Sequence, residues 1–286
     1  MKAAQKQLSG PGTIAQVVVH TSGQMAYVDM YCLLGYALHR SKEFLMSHPE
    51  YVLCGDEEEK WENYKKRRLA GEPCSYITGQ KEFYSLSFLV NPHTLIPRPE
   101  SEMLVEEAIN LAPNTLLDVG TGSGNIAVAV KHHLPACRVM AVDVSKGAVA
   151  TAEKNARRVL GTDNMGGIKF IHSNFFSNVP PVKFEVIVSN PPYVKTSHLK
   201  GLQKEISKYE PRQALDGGED GLFAYRCILE QARKYLHPHG RLLLEIDPDA
   251  EQQIIFMAVN NCYNIIKVKK DLMNKSRMVE LANNSH

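Results

Sequence analysis

The chain has 286 residues, 44% of them hydrophobic and 22% charged, a composition typical of a globular protein with a full core. Its 33 Lys and Arg against 31 Asp and Glu leave a net charge of +2, which argues against a general polyanion binder. Six widely spaced cysteines predict reduced, mostly buried thiols, and neither they nor the eleven histidines show metal-ligand spacing. We therefore predict no metal site.

The start of the chain and its most apolar segment favour a cytoplasmic location. Met1–Gln7 is polar and contains no apolar signal core. Met25–Leu38 is too short to cross a bilayer and contains Asp29. We expect no membrane contact.

The first 75 residues predict a small all-helical domain. Apolar residues recur at helical spacing between Gly, Pro and Ser breaks, and nine basic residues balance nine acidic ones. The predicted helices are Thr13–His20, Gln24–Leu38, Ser41–Met46 and Glu57–Ala70. Because this region is neutral, it does not resemble a phosphate-binding surface.

Residues 76–94 read as a β-hairpin linker between two domains. Tyr76–Thr78 and Lys81–Val90 are β-like, with a turn near Ser85. Asn91-Pro92 and Pro97-Arg98-Pro99 then predict a rigid extended connector.

Residues 95–286 predict an α/β domain, because strands and helices alternate from Thr115 onward. The predicted strands are Thr115–Val119, Arg138–Val142, Ile168–His172, Phe184–Ser189, Arg241–Ile246, Asn264–Val268 and Met278–Leu281. The predicted helices between them are Asn125–Leu134, Ser145–Leu160, Asp220–Leu236 and Ala250–Asn260. This alternation indicates a parallel sheet covered by helices on both faces.

A glycine-rich loop follows the first of these strands and opens a helix. It reads Asp118-Val119-Gly120-Thr121-Gly122-Ser123-Gly124, at the strand end where doubly wound folds bind ligands. Asp143 closes the next strand, at a distance that suits an acceptor for ribose hydroxyls. Because no Gly-Lys-Ser/Thr follows, a P-loop is excluded, and Asp118 favours a cationic ligand. The alternatives are a tight turn, a solvated acid at Asp118 and a helix cap at Asp143.

A second motif, Asn190-Pro191-Pro192-Tyr193, stands at the end of the fourth strand of this domain. The prolines fix the backbone and leave carbonyl acceptors, and Asn190 adds a side-chain acceptor. Tyr193 adds a flat face. Two acceptors that hold both N–H bonds of a planar –NH2 group could orient its lone pair and stabilise positive charge that develops on nitrogen. The motif therefore predicts catalysis at an amide or aromatic amine.

The two motifs together resemble class I S-adenosylmethionine (AdoMet) methyltransferases. The resemblance implies a seven-stranded Rossmann-like domain with AdoMet as cofactor. It implies that the glycine loop and Asp143 bind AdoMet, with Phe175 stacking near the adenine and Asn174 accepting from its amino group. The full implied cofactor set is Asp118, Gly120, Thr121, Gly122, Ser123, Gly124, Asp143, Asn174, Phe175 and Asn190.

Three further segments resemble the HemK/PrmC family, the protein-glutamine methyltransferases of peptide chain release factors. They are Leu95–Glu102, the hairpin Phe83–Val90 and the segment Tyr209–Leu222. The resemblance implies that Asn190, Pro191, Pro192 and Tyr193 hold the glutamine of a Gly-Gly-Gln loop. The chain departs from the family at Asn174, where Asp is usual, and at Asp247, where Gly is usual.

Two rival functions remain at this stage. An adenine or guanine amino-methyltransferase of RNA or DNA would use the same acceptors, but we see no basic recognition domain and expect no direct nucleic-acid binding. A catalytically silent AdoMet-fold binding module is the other, and the intact loop, Asp143 and Asn190 argue against it. Arg98 could shape the entry to the site or form a structural salt bridge. We expect a monomer whose partner is a release factor.

Overall fold

The computed structural model describes residues 12–283, apart from the side chain of Asp163, and divides into two compact units. One unit ends at Gly79 and the other begins at Gln80. The polar segment Met1–Gln7 lies outside the described residues. Within residues 12–283, no helix combines the length and apolar character that crossing a membrane requires.

The first unit is helical and has its own core. Its helices are α1 (Ile14–Thr21), α2 (Tyr27–Leu38), α3 (Lys42–Ser47), α4 (Gly55–Leu69) and α5 (Cys74–Thr78). Leu33, Leu34 and Trp61 are fully buried in its apolar cluster. The predicted extended segment Tyr76–Thr78 is wrong, because it forms most of α5. Pro73 leads into that helix with φ −60°, and Gly79 ends it with φ +72°.

The β-hairpin opens the second unit. Strands β1 (Gln80–Phe83) and β2 (Leu86–Leu89) pair antiparallel. Tyr84 and Ser85 both have positive φ, as a two-residue turn between twisted strands requires. Asn155 then fixes the hairpin to the rest of this unit, since its side-chain amide exchanges two hydrogen bonds of 2.7 and 2.9 Å with the backbone of Leu89.

A seven-stranded sheet organises the rest of the second unit, as predicted. Its strands are β3 (Thr115–Val119), β4 (Arg138–Asp143), β5 (Ile168–His172), β6 (Phe184–Ser189), β7 (Leu236–Glu245), β8 (Tyr263–Lys270) and β9 (Ser276–Asn283). They lie in the order β5-β4-β3-β6-β7-β9-β8. The prediction of a parallel sheet is wrong for β9, which runs antiparallel to both of its neighbours, β7 and β8. Strand β8 therefore keeps the direction of the other five strands. The turn between β8 and β9 is too short for the crossover that parallel strands require.

Helices cover both faces of the sheet. They are α6 (Glu102–Leu111), α7 (Asn125–His133), α8 (Lys146–Leu160), α9 (Lys204–Tyr209), α10 (Phe223–Ala232) and α11 (Glu251–Asn260). Helices α6, α7 and α8 pack on one face, and α10 and α11 on the other. Neighbouring strand residues such as Leu116 and Leu117 enter opposite cores, because side chains alternate along a strand.

The six cysteines, all within the described residues, form no disulfide, but most of them are not buried, so the prediction of mostly buried thiols is wrong. Cys32, Cys54 and Cys262 are exposed, and only Cys137 is buried. Sequence spacing carries no information on the exposure of a single small residue.

Candidate active site

A cavity of about 850 Å³ lies where the chain changes direction in the sheet. From β3 the chain proceeds outward to β4 and β5, then returns to β6 on the other side of β3. Val119 at the end of β3 pairs with Ser189 at the end of β6, so the loops after these strands start side by side. Ligands bind in this crevice in doubly wound folds.

The structure brings most of the predicted site residues to this one cavity. From the predicted cofactor set, it is lined by Gly120, Thr121, Gly122, Ser123, Asp143, Asn174 and Phe175. From the predicted substrate set, it is lined by Asn190, Pro191 and Pro192. Asp118, Gly124 and Tyr193 are absent from the lining.

The glycine loop presents bare backbone to the cavity. Gly120 and Gly122 have φ of +78° and +56°, and a Cβ added to either would meet no atom within 4 Å. The N–H groups of Gly120 and Thr121 both donate to the carbonyl of Val142 at 2.9 Å, which fixes the turn. Gly124 has a different reason to be glycine, since its Cβ would lie 2.9 Å from that of Ala152 on α8. The loop is therefore built for close approach of a ligand at its first two glycines.

Asp143 joins the glycine loop to the start of α8. Its Oδ2 accepts from the backbone N–H of Gly122 at 2.8 Å, and its Oδ1 accepts from that of Ser145 at 2.8 Å. The N-cap of α8 is Ser145, so Asp143 is not that cap. Burial raises the pKa of Asp143, and the two backbone donors oppose the rise. Each oxygen keeps a lone pair for a hydroxyl in the cavity.

Asp118 lies beneath the loop and is fully buried. Its Oδ2 accepts from the Thr121 hydroxyl at 2.6 Å, whereas its Oδ1 has no hydrogen-bond partner among the described residues. Burial raises its pKa to about 7. The alternative of a solvated loop acid is therefore excluded, and the carboxyl acts on the cavity through Thr121.

Two aromatic rings stand at the cavity on the side of β5. Phe175 has φ +46° and lies 6.3 Å from the ring of Phe223, which also lines the cavity and is 54% exposed. Phe176, in contrast, is an ordinary core aromatic stacked 5.0 Å from Tyr235. Phe223 was not predicted from the sequence, because a lone aromatic residue at the start of a helix usually belongs to the core.

The Asn190 side chain is held from behind by Ser101. Its Nδ2 donates to Ser101 Oγ at 2.9 Å, and Ser101 Oγ donates to Glu245 Oε2 at 2.5 Å. Among the described residues, no hydrogen bond reaches Asn190 Oδ1 or the carbonyl of Pro191. The structure thus holds two acceptors of the motif without a protein donor.

Tyr193 packs behind the motif. It lies against the core of α10 and β7, and burial raises its pKa to about 12. Its ring is therefore a support for the motif in this structure, not part of the cavity wall.

Two glycines of the segment after the motif let it pack against the Pro192–Tyr193 backbone. A Cβ on Gly217 would lie 2.9 Å from the Pro192 oxygen, and one on Gly221, where φ is +79°, would lie 2.5 Å from the Tyr193 oxygen. Val194 N also donates to Leu215 O at 2.9 Å. The Gly217–Gly221 segment thus packs directly against the backbone of the motif and fixes its position.

We expect Gly221→Ala to displace the motif. The new methyl group would clash with backbone at a left-handed residue, so we expect a loss of about 2–4 kcal/mol in unfolding free energy and a fall in kcat. Denaturant unfolding and steady-state kinetics measure both. The control is Gly201→Ala in the same connection, where a Cβ would meet nothing within 4 Å. Equal unfolding free energies and equal kcat values for the two variants would contradict the role of this packing.

Arg98 both lines the cavity and forms a salt bridge. Its Nη2 lies 2.5 Å from Oε1 of the buried Glu210, whose Oε2 accepts from Ile96 N at 3.2 Å. Glu210 thereby ties the extended connector to the loop that carries Pro211. Arg98 therefore lies at the site and also forms the structural salt bridge that was its alternative role.

Family models match both units. The PrmC N-terminal domain matches residues 22–79, and the methyltransferase small domain matches residues 99–219. The fold is also that of a methyltransferase from Pyrococcus furiosus, with a TM-score of 0.54 and 19% identity over 78% of this chain and 99% of that one.

Curated relatives extend the match to most of the chain. A bifunctional methyltransferase from Rickettsia felis is 38% identical over 86% of this chain and 52% of its own length. The chain thus spans about half the length of the Rickettsia relatives. A release factor glutamine methyltransferase from Coxiella burnetii is 38% identical over 88% of this chain and 90% of its own. The chain therefore belongs to the release factor glutamine methyltransferase family.

Proposed function

We propose that this protein transfers a methyl group from AdoMet to the side-chain amide nitrogen of the glutamine in the Gly-Gly-Gln motif of a peptide chain release factor. One observation carries the proposal. One cavity is lined both by the open backbone of the glycine loop and by Asn190 and Pro191, whose acceptor oxygens have no hydrogen-bond donor among the described residues. Family membership supports the same activity.

The residues around the glycine loop fit AdoMet. A Cβ at Gly120 or Gly122 would protrude into space that a ligand can fill, and Asp143 offers acceptors for the ribose hydroxyls. Phe175 and Phe223 offer apolar faces for the adenine, and the Asn174 amide is placed at the same wall. Asp118 contributes by holding Thr121. When bound, AdoMet supplies an electrophilic methyl group.

Asn190 and Pro191 prepare the amide nitrogen to react. An amide nitrogen is a poor nucleophile because its lone pair is delocalised. If Asn190 Oδ1 and the Pro191 carbonyl each accept one N–H, they orient the lone pair and stabilise the positive charge that develops on nitrogen. Correct positioning of the two reactants lowers the activation free energy by roughly 7–11 kcal/mol in favourable cases. No strong base is needed beforehand, since the methylated nitrogen can lose its proton afterwards.

The helical unit is the part that we propose to recognise the release factor away from its glutamine loop. It has its own apolar core, and two of its arginines pair with acids of the same unit. Arg68 pairs with Asp29 at 2.7 Å, and Arg67 with Glu72 at 2.6 Å. A surface with balanced charge suits a protein partner better than a phosphate backbone.

We expect labelled AdoMet to transfer its methyl group to a purified release factor but not to RNA or duplex DNA. The physical reason is that residues 1–75 carry as many acidic as basic residues, so this region offers no excess positive charge to a phosphate backbone. Scintillation counting of the three substrates in parallel measures this. Label on nucleic acid, with none on the release factor, would contradict the proposed substrate.

A further inference from the structure

The strongest feature that the proposed function leaves unused is the chain of hydrogen bonds behind Asn190. It runs from Asn190 through Ser101 to Glu245, which is 4% exposed at the end of β7. Ser101 is 1% exposed and lies directly before α6. Two almost fully buried polar groups therefore lie beside the cavity, where an apolar pair would fill the same space.

The direction of each hydrogen bond in this chain is determined by its far end. An ionised carboxylate can only accept, so Ser101 must give its hydrogen to Glu245. The Ser101 oxygen then accepts, and only the Nδ2 group of Asn190 can donate to it. Asn190 Oδ1 is left facing the cavity as an acceptor.

A Glu245 that carries its proton on Oε2, the oxygen that faces Ser101, would reverse the chain. Its O–H would donate to Ser101 Oγ, and the Ser101 hydrogen would turn to Asn190, which would have to present Oδ1 to it. The NH2 group of Asn190 would then face the cavity. A donor in that place repels the N–H of a substrate amide instead of holding it.

We propose that Ser101 and Glu245 are positioning residues that set which atom of the Asn190 amide faces the substrate. This inference rests on the proposed function. It extends that function by naming the groups that give the motif its acceptor polarity.

The surroundings of Glu245 place the reversal near neutral pH. Burial and the nearby Glu100 raise its pKa to about 7, whereas Ser101, Arg277 and Arg98 lower it. The other polar groups that face it are Tyr193, Asp247 and Tyr225, whose hydroxyl donates to the Glu245 carbonyl at 3.0 Å. Above this pKa Glu245 is ionised and Asn190 presents its acceptor, and below it the acceptor is lost.

The first test is kinetic, with single turnovers at saturating AdoMet and release factor from about pH 6 to about pH 8. We expect the unaltered protein to slow as the pH falls through this range. Ser101→Ala and Glu245→Gln should be slower by about 10²-fold at the upper end, because the acceptor is no longer fixed in place. Both should also lose the pH dependence, while AdoMet affinity stays unchanged.

Two further variants separate positioning from folding. Ser101→Thr keeps the hydroxyl and should restore most of the rate together with the pH dependence. Ser276→Ala removes a partly buried serine–glutamate hydrogen bond, from Ser276 Oγ to Glu251 Oε2 at 2.6 Å, away from the cavity lining, and should leave the rate and its pH profile unchanged. A wild-type rate in Ser101→Ala, or an unchanged pH profile in both Ser101→Ala and Glu245→Gln, would overturn the inference.

A second measurement works without substrate or turnover. In 15N NMR spectra, the side-chain NH2 of Asn190, assigned by its loss in Asn190→Ala, should shift with pH in the unaltered protein. The shift should disappear in Glu245→Gln. Absence of the shift would overturn the proposed roles of Ser101 and Glu245 even if release factor is methylated. If no release factor is methylated but the shift is present, the proposed function fails, while the control of the Asn190 amide by Ser101 and Glu245 is supported.

Discussion

Asn190→Ala is expected to reduce the rate of methyl transfer to release factor by at least about 10²-fold, the usual cost of losing one polar group that stabilises charge in a transition state. The variant removes Oδ1, one of two acceptors for the substrate N–H bonds. The Pro191 carbonyl alone cannot fix the direction of the amide lone pair. Single-turnover rates with labelled AdoMet measure the loss.

The AdoMet affinity of Asn190→Ala should change little, because Asp143 and the glycine loop, to which we assign AdoMet, are held by hydrogen bonds that do not involve Asn190. Calorimetric titration of AdoMet into the variant tests this. The control is Asn264→Ala on the exposed face of β8, which should leave both quantities unchanged. Near-normal turnover in Asn190→Ala would remove its assigned catalytic role.

Asp143→Ala is expected to act on binding instead of turnover chemistry. We expect AdoMet to bind about 30- to 150-fold more weakly, from the loss of about 2–3 kcal/mol in hydrogen bonds to a charged acceptor. Part of the loss comes from the loop, since the N–H of Gly122 would no longer be held by Asp143. Calorimetric titration gives the dissociation constant directly.

Asp143→Asn is the matched variant for this experiment. It keeps the shape of the side chain and one acceptor oxygen, so its affinity should fall between those of Asp143→Ala and the unaltered protein. The thermal midpoint of each variant without AdoMet shows whether the fold is kept. An unchanged affinity in Asp143→Ala would contradict the assignment of the ribose to this residue.

The parts of the site that lie at strand ends were predictable from the sequence. Gly120 and Asn190 each follow a short apolar run, and the carboxyl ends of parallel strands meet at one edge of the sheet. The proximity of these two residues therefore follows from periodicity and topology alone. The family resemblance also held, because it rests on motifs of local geometry.

What the sequence did not reveal depends on long-range packing. Ser101 and Glu245 are 144 positions apart, and only the pairing of β7 with β6 and β9 places Glu245 behind Ser101. Helix α6 was missed because two prolines and the acids after them favoured an extended connector. Tyr76–Thr78 was misread because three residues cannot distinguish a strand from a helical turn.

The proposed function is tested most directly by locating the transferred methyl group. Release factor treated with the protein and AdoMet would be digested and its peptides fragmented in a mass spectrometer, beside a copy whose loop glutamine is alanine. We predict one added methyl group on the side-chain amide of the Gly-Gly-Gln glutamine, and none on the alanine copy. Methylation at another residue, or equal methylation of both copies, would contradict the proposed function.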